Sequence, residues 1–183
     1  KAAALDIKTI APLHGPVLKE NLGYYLDLYN TWSSYGVESE GVLVAFASIH
    51  GNTRKAAEKI ASILEKQGAK KVVVSDLSRD DEAEVIEDAF RYGRMIIAAP
   101  TYDGGLFPPM ESFLSHLKSK NYQKRTVGII ENGTWAPMSG KLMKAALESM
   151  KEIKICDTVV TIKSALKAEQ EDSLVALAKE VLA

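Results

Sequence analysis

The sequence predicts an α/β fold, a doubly wound parallel sheet of five strands in the order 2-1-3-4-5 with an N-terminal helical extension. Three observations lead there. From Gly41 to Ala183, apolar runs of strand length alternate with amphipathic runs of helix length, five times over. The strand runs are nearly unbroken Val, Ile, Leu and Ala, as expected of strands buried on both faces. The loops after the first, third and fourth strands mix glycine, aromatics and amides, while those near Leu77-Ser78-Arg79 and Lys163-Ser164 look plain. In a 2-1-3-4-5 sheet the winding reverses beside strands 1 and 3, and ligands sit there beyond the strand ends.

The elements follow in order. Residues 1–15 read as a linker, because Pro12, Gly15 and Pro16 close it to regular structure. From Val17 to Tyr35 the residues Leu18, Leu22, Tyr25, Leu26, Tyr29 and Trp32 recur at helical spacing. That aromatic face either packs on the domain that follows, the favoured reading, or serves a domain lying elsewhere. A turn at 36–41 leads to the first strand, 42–48. A helix over 53–67 buries Ala57, Ile60, Ala61 and Leu64 and stops at Gly68. Val72-Val73-Val74 make the second strand, and an acidic helix spans 80–92. The third strand is 94–99. Pro108 or Pro109 opens the next helix, since proline suits a first helical turn. The fourth strand is 125–131, a helix spans 139–150, the fifth strand is 155–162, and a helix over 167–183 closes the chain.

Composition excludes several classes. Net charge is -1, from 23 basic and 24 acidic residues, so nothing marks a nucleic-acid surface. No run approaches a membrane span. The lone Cys156 permits no internal disulfide and reads as a small core residue, which fits a reducing, cytoplasmic setting. The chain begins with Lys1 rather than Met and reads as a processed or excised piece of something longer. The expected division is a linker and helix over 1–40, the tail of another domain, and a ligand-binding domain over 41–183.

The first strand ends in Ser48-Ile49-His50-Gly51-Asn52-Thr53 and a helix begins at once. A helix N-terminus has unpaired N–H groups and a positive dipole end, which together seat a phosphate. Gly51 allows close backbone approach, and Ser48 and Thr53 add hydroxyls. Neither GxxxxGK[ST] nor GxGxxG occurs, so the phosphate is not that of a P-loop or dinucleotide site. The third strand ends in Pro100-Thr101-Tyr102-Asp103-Gly104-Gly105, and the fourth in Glu131-Asn132-Gly133-Thr134-Trp135. Tyr102 and Trp135 are flat walls for a planar ring, and the glycine segments offer main-chain groups to its edge.

With these loops in view, the chain from Gly41 onward resembles the flavodoxins, and more closely the C-terminal flavodoxin-like domain of flavodiiron proteins (A-type flavoproteins). Ser48–Thr53 matches the phosphate loop for FMN. The run from Pro100 to Met110 matches that subgroup most specifically, and Trp135 stands at its flavin-flanking position. His50 replaces the hydroxyl residue common there. The run Ala11-Pro12-Leu13-His14-Gly15-Pro16 resembles the end of the metallo-β-lactamase-like domain of the same proteins, where such a histidine binds the di-iron centre. Here His14, His50 and His116 are the only histidines and no HxExD occurs, so no metal site is expected in this chain.

The resemblance implies that Ser48, Ile49, His50, Gly51, Asn52 and Thr53 hold the FMN phosphate. Pro100, Thr101, Tyr102, Asp103 and Gly104 would line the ribityl chain and ring, and Asn132, Gly133, Thr134 and Trp135 would edge and cover the ring. It implies an electron carrier fed by a rubredoxin-like donor or a flavin or NAD(P)H reductase. The acceptor would be a di-iron domain that reduces O2 or NO, in a head-to-tail homodimer. No catalytic residue of its own is implied. Asp103 and Glu131, if near the ring, would repel negative charge on it and lower its potential, which Asp103→Asn tests. Two other readings use the same architecture. A stand-alone NAD(P)H-dependent quinone or flavin reductase would be reduced rapidly by NAD(P)H. A receiver-type signalling module would need an acidic pair where Ala47-Ser48-Ile49-His50 stand.

Overall fold

A computed structural model describes residues 5–183, so the first four residues of the expected linker lie outside the described residues. The elements are α1 (Leu22–Ser33), β1 (Ser39–Phe46), α2 (Asn52–Lys66), β2 (Val72–Asp76), α3 (Glu82–Arg91) and β3 (Tyr92–Tyr102). They continue with β4 (Gly105–Leu106), α4 (Pro108–Ser119), β5 (Gln123–Asn132), α5 (Ser139–Glu148), β6 (Lys151–Ile162) and α6 (Glu171–Leu182). The five long strands are parallel and run β2-β1-β3-β5-β6, which is the expected order once the two-residue β4 is counted. The helices of such parallel connections must lie on the faces of the sheet.

Side-chain alternation divides the core in two. Val42, Val44 and Phe46 of β1 point toward α2 and α6, packing with Ile60, Leu64, Leu174, Leu177 and Val181. Leu43, Ala45 and Ala47 point the other way, toward α3, α4 and α5, where Val85, Phe113, Leu117, Met143 and Leu147 fill the layer. Both faces are covered because successive strand residues face opposite sides. Gly128 of β5 lies under α6, where a Cβ would sit 3.0 Å from both Leu177 and Val181.

Three expectations are corrected here. The N-terminal helix is shorter than 17–35, because Asn21 adopts a left-handed conformation (φ 51°) and Leu18 pairs with Ile10 in an antiparallel bridge. Its aromatic face is largely unpacked, with Trp32 alone of the expected residues standing beside Phe90 and Arg91 of the following domain. No residue of α1 is buried, and Tyr24, Tyr29 and Trp32 are 62%, 67% and 54% exposed. The Trp32 indole N–H instead donates to Glu38 Oε2 at 2.7 Å. The periodicity was real, but a periodic face does not specify what it packs on. The loop after the third strand is largely a hairpin. Thr101 pairs with Leu106 and Tyr102 with Gly105, across Asp103 and Gly104 at φ 48° and 70°. An Asp-Gly pair with both φ positive suits the tight turn whose twist matches the strands.

At the N-terminal end of the sheet, buried Arg125 of β5 holds main-chain segments together. Its guanidinium donates to the carbonyls of Tyr35 (2.7 Å), Gly36 (3.0 Å), Phe90 (2.7 Å) and Tyr92 (2.9 Å). Burial pulls its pKa down from the usual arginine value. No helix among the described residues is long and apolar enough to cross a membrane.

Candidate functional site

Strands β1, β3 and β5 end side by side, and their loops enclose one open cleft of about 260 Å3. Its lining residues are Ser48, Ile49, His50, Asn52, Thr53, Pro100, Thr101, Asn132, Gly133, Thr134 and Ser164. No carboxylate is among them. The volume lies a little below the roughly 300–1,000 Å3 usual for a whole small-molecule site, so the cleft accounts for one end of such a ligand.

The β1–α2 loop is a donor surface. Gly51 sits at φ 83°, a conformation that favours glycine, and its N–H donates to Ser48 Oγ at 3.0 Å. The N–H groups of Ile49, His50, Asn52, Thr53 and Arg54 have no hydrogen-bond partner among the described residues. The α2 N-terminus has no side-chain cap, and α2 carries no acidic residue in its first turn. An uncapped helix start beside further free donors is the environment that a phosphate completes. Thr53 is 2% exposed, so its hydroxyl belongs to the floor of the cleft rather than to solvent.

The two other strand ends are committed to holding the loops. Thr101 Oγ1 accepts the N–H groups of Met138 (2.8 Å) and Ser139 (3.0 Å), capping α5 from the neighbouring strand. Glu131 was expected near a ring, but its carboxylate accepts from the Gly140 N–H (2.9 Å) and the Thr161 hydroxyl (2.7 Å). Its charge is therefore spent on the same helix start, and it does not line the cleft. A Cβ on Gly140 would stand 2.7 Å from that carboxylate, so the glycine permits the contact. Asn132 is 6% exposed and reaches both Thr53 and the main chain of Ser164.

Other expected residues stand apart from the cleft. Tyr102, Asp103 and Gly104 border a different groove of about 730 Å3 between α4 and α5. Tyr102 is 50% exposed, with its ring 5.6 Å from that of Phe107. Trp135 is 90% exposed and walls nothing among the described residues. Gly51 shapes the loop without lining the cleft. Ser164, by contrast, lines the cleft from a loop that looked plain, because a lone serine after a strand carries no signal until its partner Asn132 is located. His14 is exposed, and among the described residues no three His, Cys, Asp or Glu side chains are placed to hold a metal ion.

Residues 43–169 match the flavodoxin domain family. The coenzyme F420H2 oxidase of Methanothermobacter marburgensis is 30% identical over 118 residues, which cover 64% of this chain and 28% of that protein. The anaerobic nitric oxide reductase flavorubredoxin of Escherichia coli is 21% identical over 156 residues, covering 82% and 32%. Among solved structures, the rubredoxin oxygen:oxidoreductase of Desulfovibrio gigas superposes with a TM-score of 0.90 at 19% identity. That match covers 98% of this chain and 45% of the other. The chain thus spans less than half the length of each of these proteins.

Proposed function

The chain belongs to the flavodoxin domain family, and from that premise we propose that it is the FMN-binding electron-transfer domain of a flavodiiron-type oxidoreductase. The observation that carries the reading is the cleft at the ends of β1, β3 and β5, with its unpaired N–H groups and without a carboxylate. FMN is the cofactor of this domain family, and its ring supplies one- and two-electron chemistry when bound. The residues present suit FMN at its phosphate end. A phosphate dianion offers only acceptors, and five unpaired main-chain N–H groups between Ile49 and Arg54 are donors suited to it.

In this reading Ser48, Ile49, His50, Gly51, Asn52 and Thr53 hold the phosphate. Pro100, Thr101, Asn132, Gly133 and Thr134 line the chain leading to the ring. Tyr102, Asp103, Gly104 and Trp135 belong to the rim, and their side chains meet the ring only if the hairpin and the 133–138 loop turn inward. The chain's own groups bind and orient, and none of them transfers a proton. Residues 1–40 are the tail of a further domain, and 41–183 the flavin domain. The donor is a rubredoxin-like protein or a reductase, and the acceptor is a di-iron domain reducing O2 or NO, within a cytoplasmic homodimer. Its relatives support that wider assignment, since they are a nitric oxide reductase flavorubredoxin and a rubredoxin oxygen:oxidoreductase.

The test is direct. The purified chain, stripped of any cofactor and titrated with FMN, quenches flavin fluorescence at one equivalent and acquires a structured flavin absorption band. Absence of saturable binding would remove the proposal. Slow reduction of the loaded chain by NAD(P)H alone, against fast reduction through a rubredoxin-type donor, separates an electron carrier from a stand-alone reductase.

A further inference from the structure

Resting on the FMN reading, we propose that Asn132 is a positioning residue. Its amide commits the Thr53 hydroxyl proton to the phosphate, and so sets the preference for phosphorylated over unphosphorylated flavin. Asn132 ends β5 and is 6% exposed, while Thr53 lies in the first turn of α2 and is 2% exposed. Asn132 Oδ1 accepts the Ser164 N–H at 3.0 Å, and Nδ2 donates to the Ser164 carbonyl at 2.9 Å. Two opposed bonds to one residue's main chain decide which end of the amide is the NH2 group. The same NH2 lies 3.3 Å from Thr53 Oγ1, so Thr53 receives a donor there and must accept.

A hydroxyl has one proton and two lone pairs. With one lone pair taken by Asn132, the proton points elsewhere, and no acceptor for it exists among the described residues. A buried donor without an acceptor is costly unless a ligand supplies one. The cleft that Thr53 lines is where the N–H groups of Ile49 to Arg54 are also unpaired. These unpaired N–H groups and the Thr53 hydroxyl are all donors, which matches a dianionic phosphate and disfavours the terminal hydroxyl of an unphosphorylated polyol. The clasp extends further: Asn52 Nδ2 donates to Ser164 Oγ at 3.3 Å, and Ser164 is held at φ 69°. Asn132 thus ties the β5 end, the β6 turn and the phosphate loop into one unit.

The experiment compares dissociation constants for FMN and riboflavin, by fluorescence quenching with the full chain. Wild type, Asn132→Ala, Asn132→Asp, Thr53→Val and the Asn132→Ala/Thr53→Val double variant are measured, each checked for folding by thermal melting. Asn132→Ala and Thr53→Val each lower the FMN-over-riboflavin ratio by roughly tenfold to a hundredfold, the range of one charge-assisted hydrogen bond. The double variant falls no further than Thr53→Val alone, because the two side chains act through one bond. Asn132→Asp keeps the shape but accepts the Thr53 proton, and lowers the ratio by more than about tenfold; it carries the test if the alanine variant fails to fold. A ratio within about twofold of wild type in Asn132→Asp, or fully multiplicative effects in the double variant, overturns the proposal. Equal losses for both ligands mean that Asn132 merely shapes the cleft, which also overturns it. Should the wild-type chain bind neither flavin, the FMN reading itself fails, an outcome distinct from the others.

Discussion

Replacing Thr101 by valine removes one oxygen and little else, and the structure assigns that oxygen two N–H groups. Met138 and Ser139 donate to it at 2.8 and 3.0 Å, and α5 has no side-chain cap of its own. Loss of a threonine cap costs about 1 kcal/mol, up to about 2. A second stranded donor, in a setting that is only partly buried, brings the expected loss to about 2 kcal/mol. For a domain of this size that lowers the melting temperature by roughly 4–8 °C. The assay is equilibrium urea unfolding of the cofactor-free chain by circular dichroism, with Thr101→Ser as the control that keeps the hydroxyl. Thr101→Ser should recover most of the loss. If Thr101→Val unfolds within about 0.5 kcal/mol of wild type, inside the ordinary range for surface changes, capping of α5 from β3 does not stabilise the domain. The reasoning about how the strand ends hold the 133–138 loop would fall with it.

Three further outcomes are expected. Tyr122→Phe should be neutral or stabilising by up to about 1 kcal/mol in the same assay, because the Tyr122 hydroxyl is buried with no partner and the ring contacts are kept; a clear loss would mean an unseen partner. Burial pushes the Cys156 thiol up to about 11, so it should resist a thiol-selective reagent at pH 8 and react stoichiometrically once urea unfolds the chain. Glu180 accepts from the main-chain N–H groups of Asp157 (2.5 Å) and Thr158 (3.0 Å); although burial opposes it, these bonds hold its carboxyl below the ordinary value of 4.5. A lowered folded pKa contributes stability that is present above the unfolded value and is lost as pH falls through the folded one. Urea midpoints for wild type should therefore fall more steeply below pH 4.5 than those for Glu180→Gln, and parallel curves would contradict this.

Much of the architecture was legible because the strands are buried on both faces. Val42–Phe46, Met95–Ala99 and Val127–Ile130 are unbroken apolar runs, and their spacing leaves room for one helix each. Strand ends were less legible: β3 continues through Pro100 and Thr101 to Tyr102, because a strand-end proline forfeits only a donor that pairing there does not use. At the site, small polar residues pointed, through the chemistry of helix starts, to the β1–α2 loop that lines the cleft with unpaired N–H groups. Side chains serving distant partners did not announce themselves. Glu131 read as a free charge until α5 came alongside it, and Ser164 meant nothing without Asn132. Along α1 the aromatic residues misled, since a flat apolar side chain signals a wish to be covered and says nothing of the cover.

Arg125 bears on geometry well beyond its own strand. Helix α1 has no buried residue, yet the peptide leaving it is gripped at Tyr35 and Gly36 by a guanidinium rooted in the sheet. That side chain therefore helps to fix the direction in which α1 departs, together with the Asn121 amide on the Tyr35 hydroxyl and the Lys124 ammonium on the Ser34 carbonyl. Loosening that grip would free α1 while the cleft beyond the other ends of the strands kept its shape.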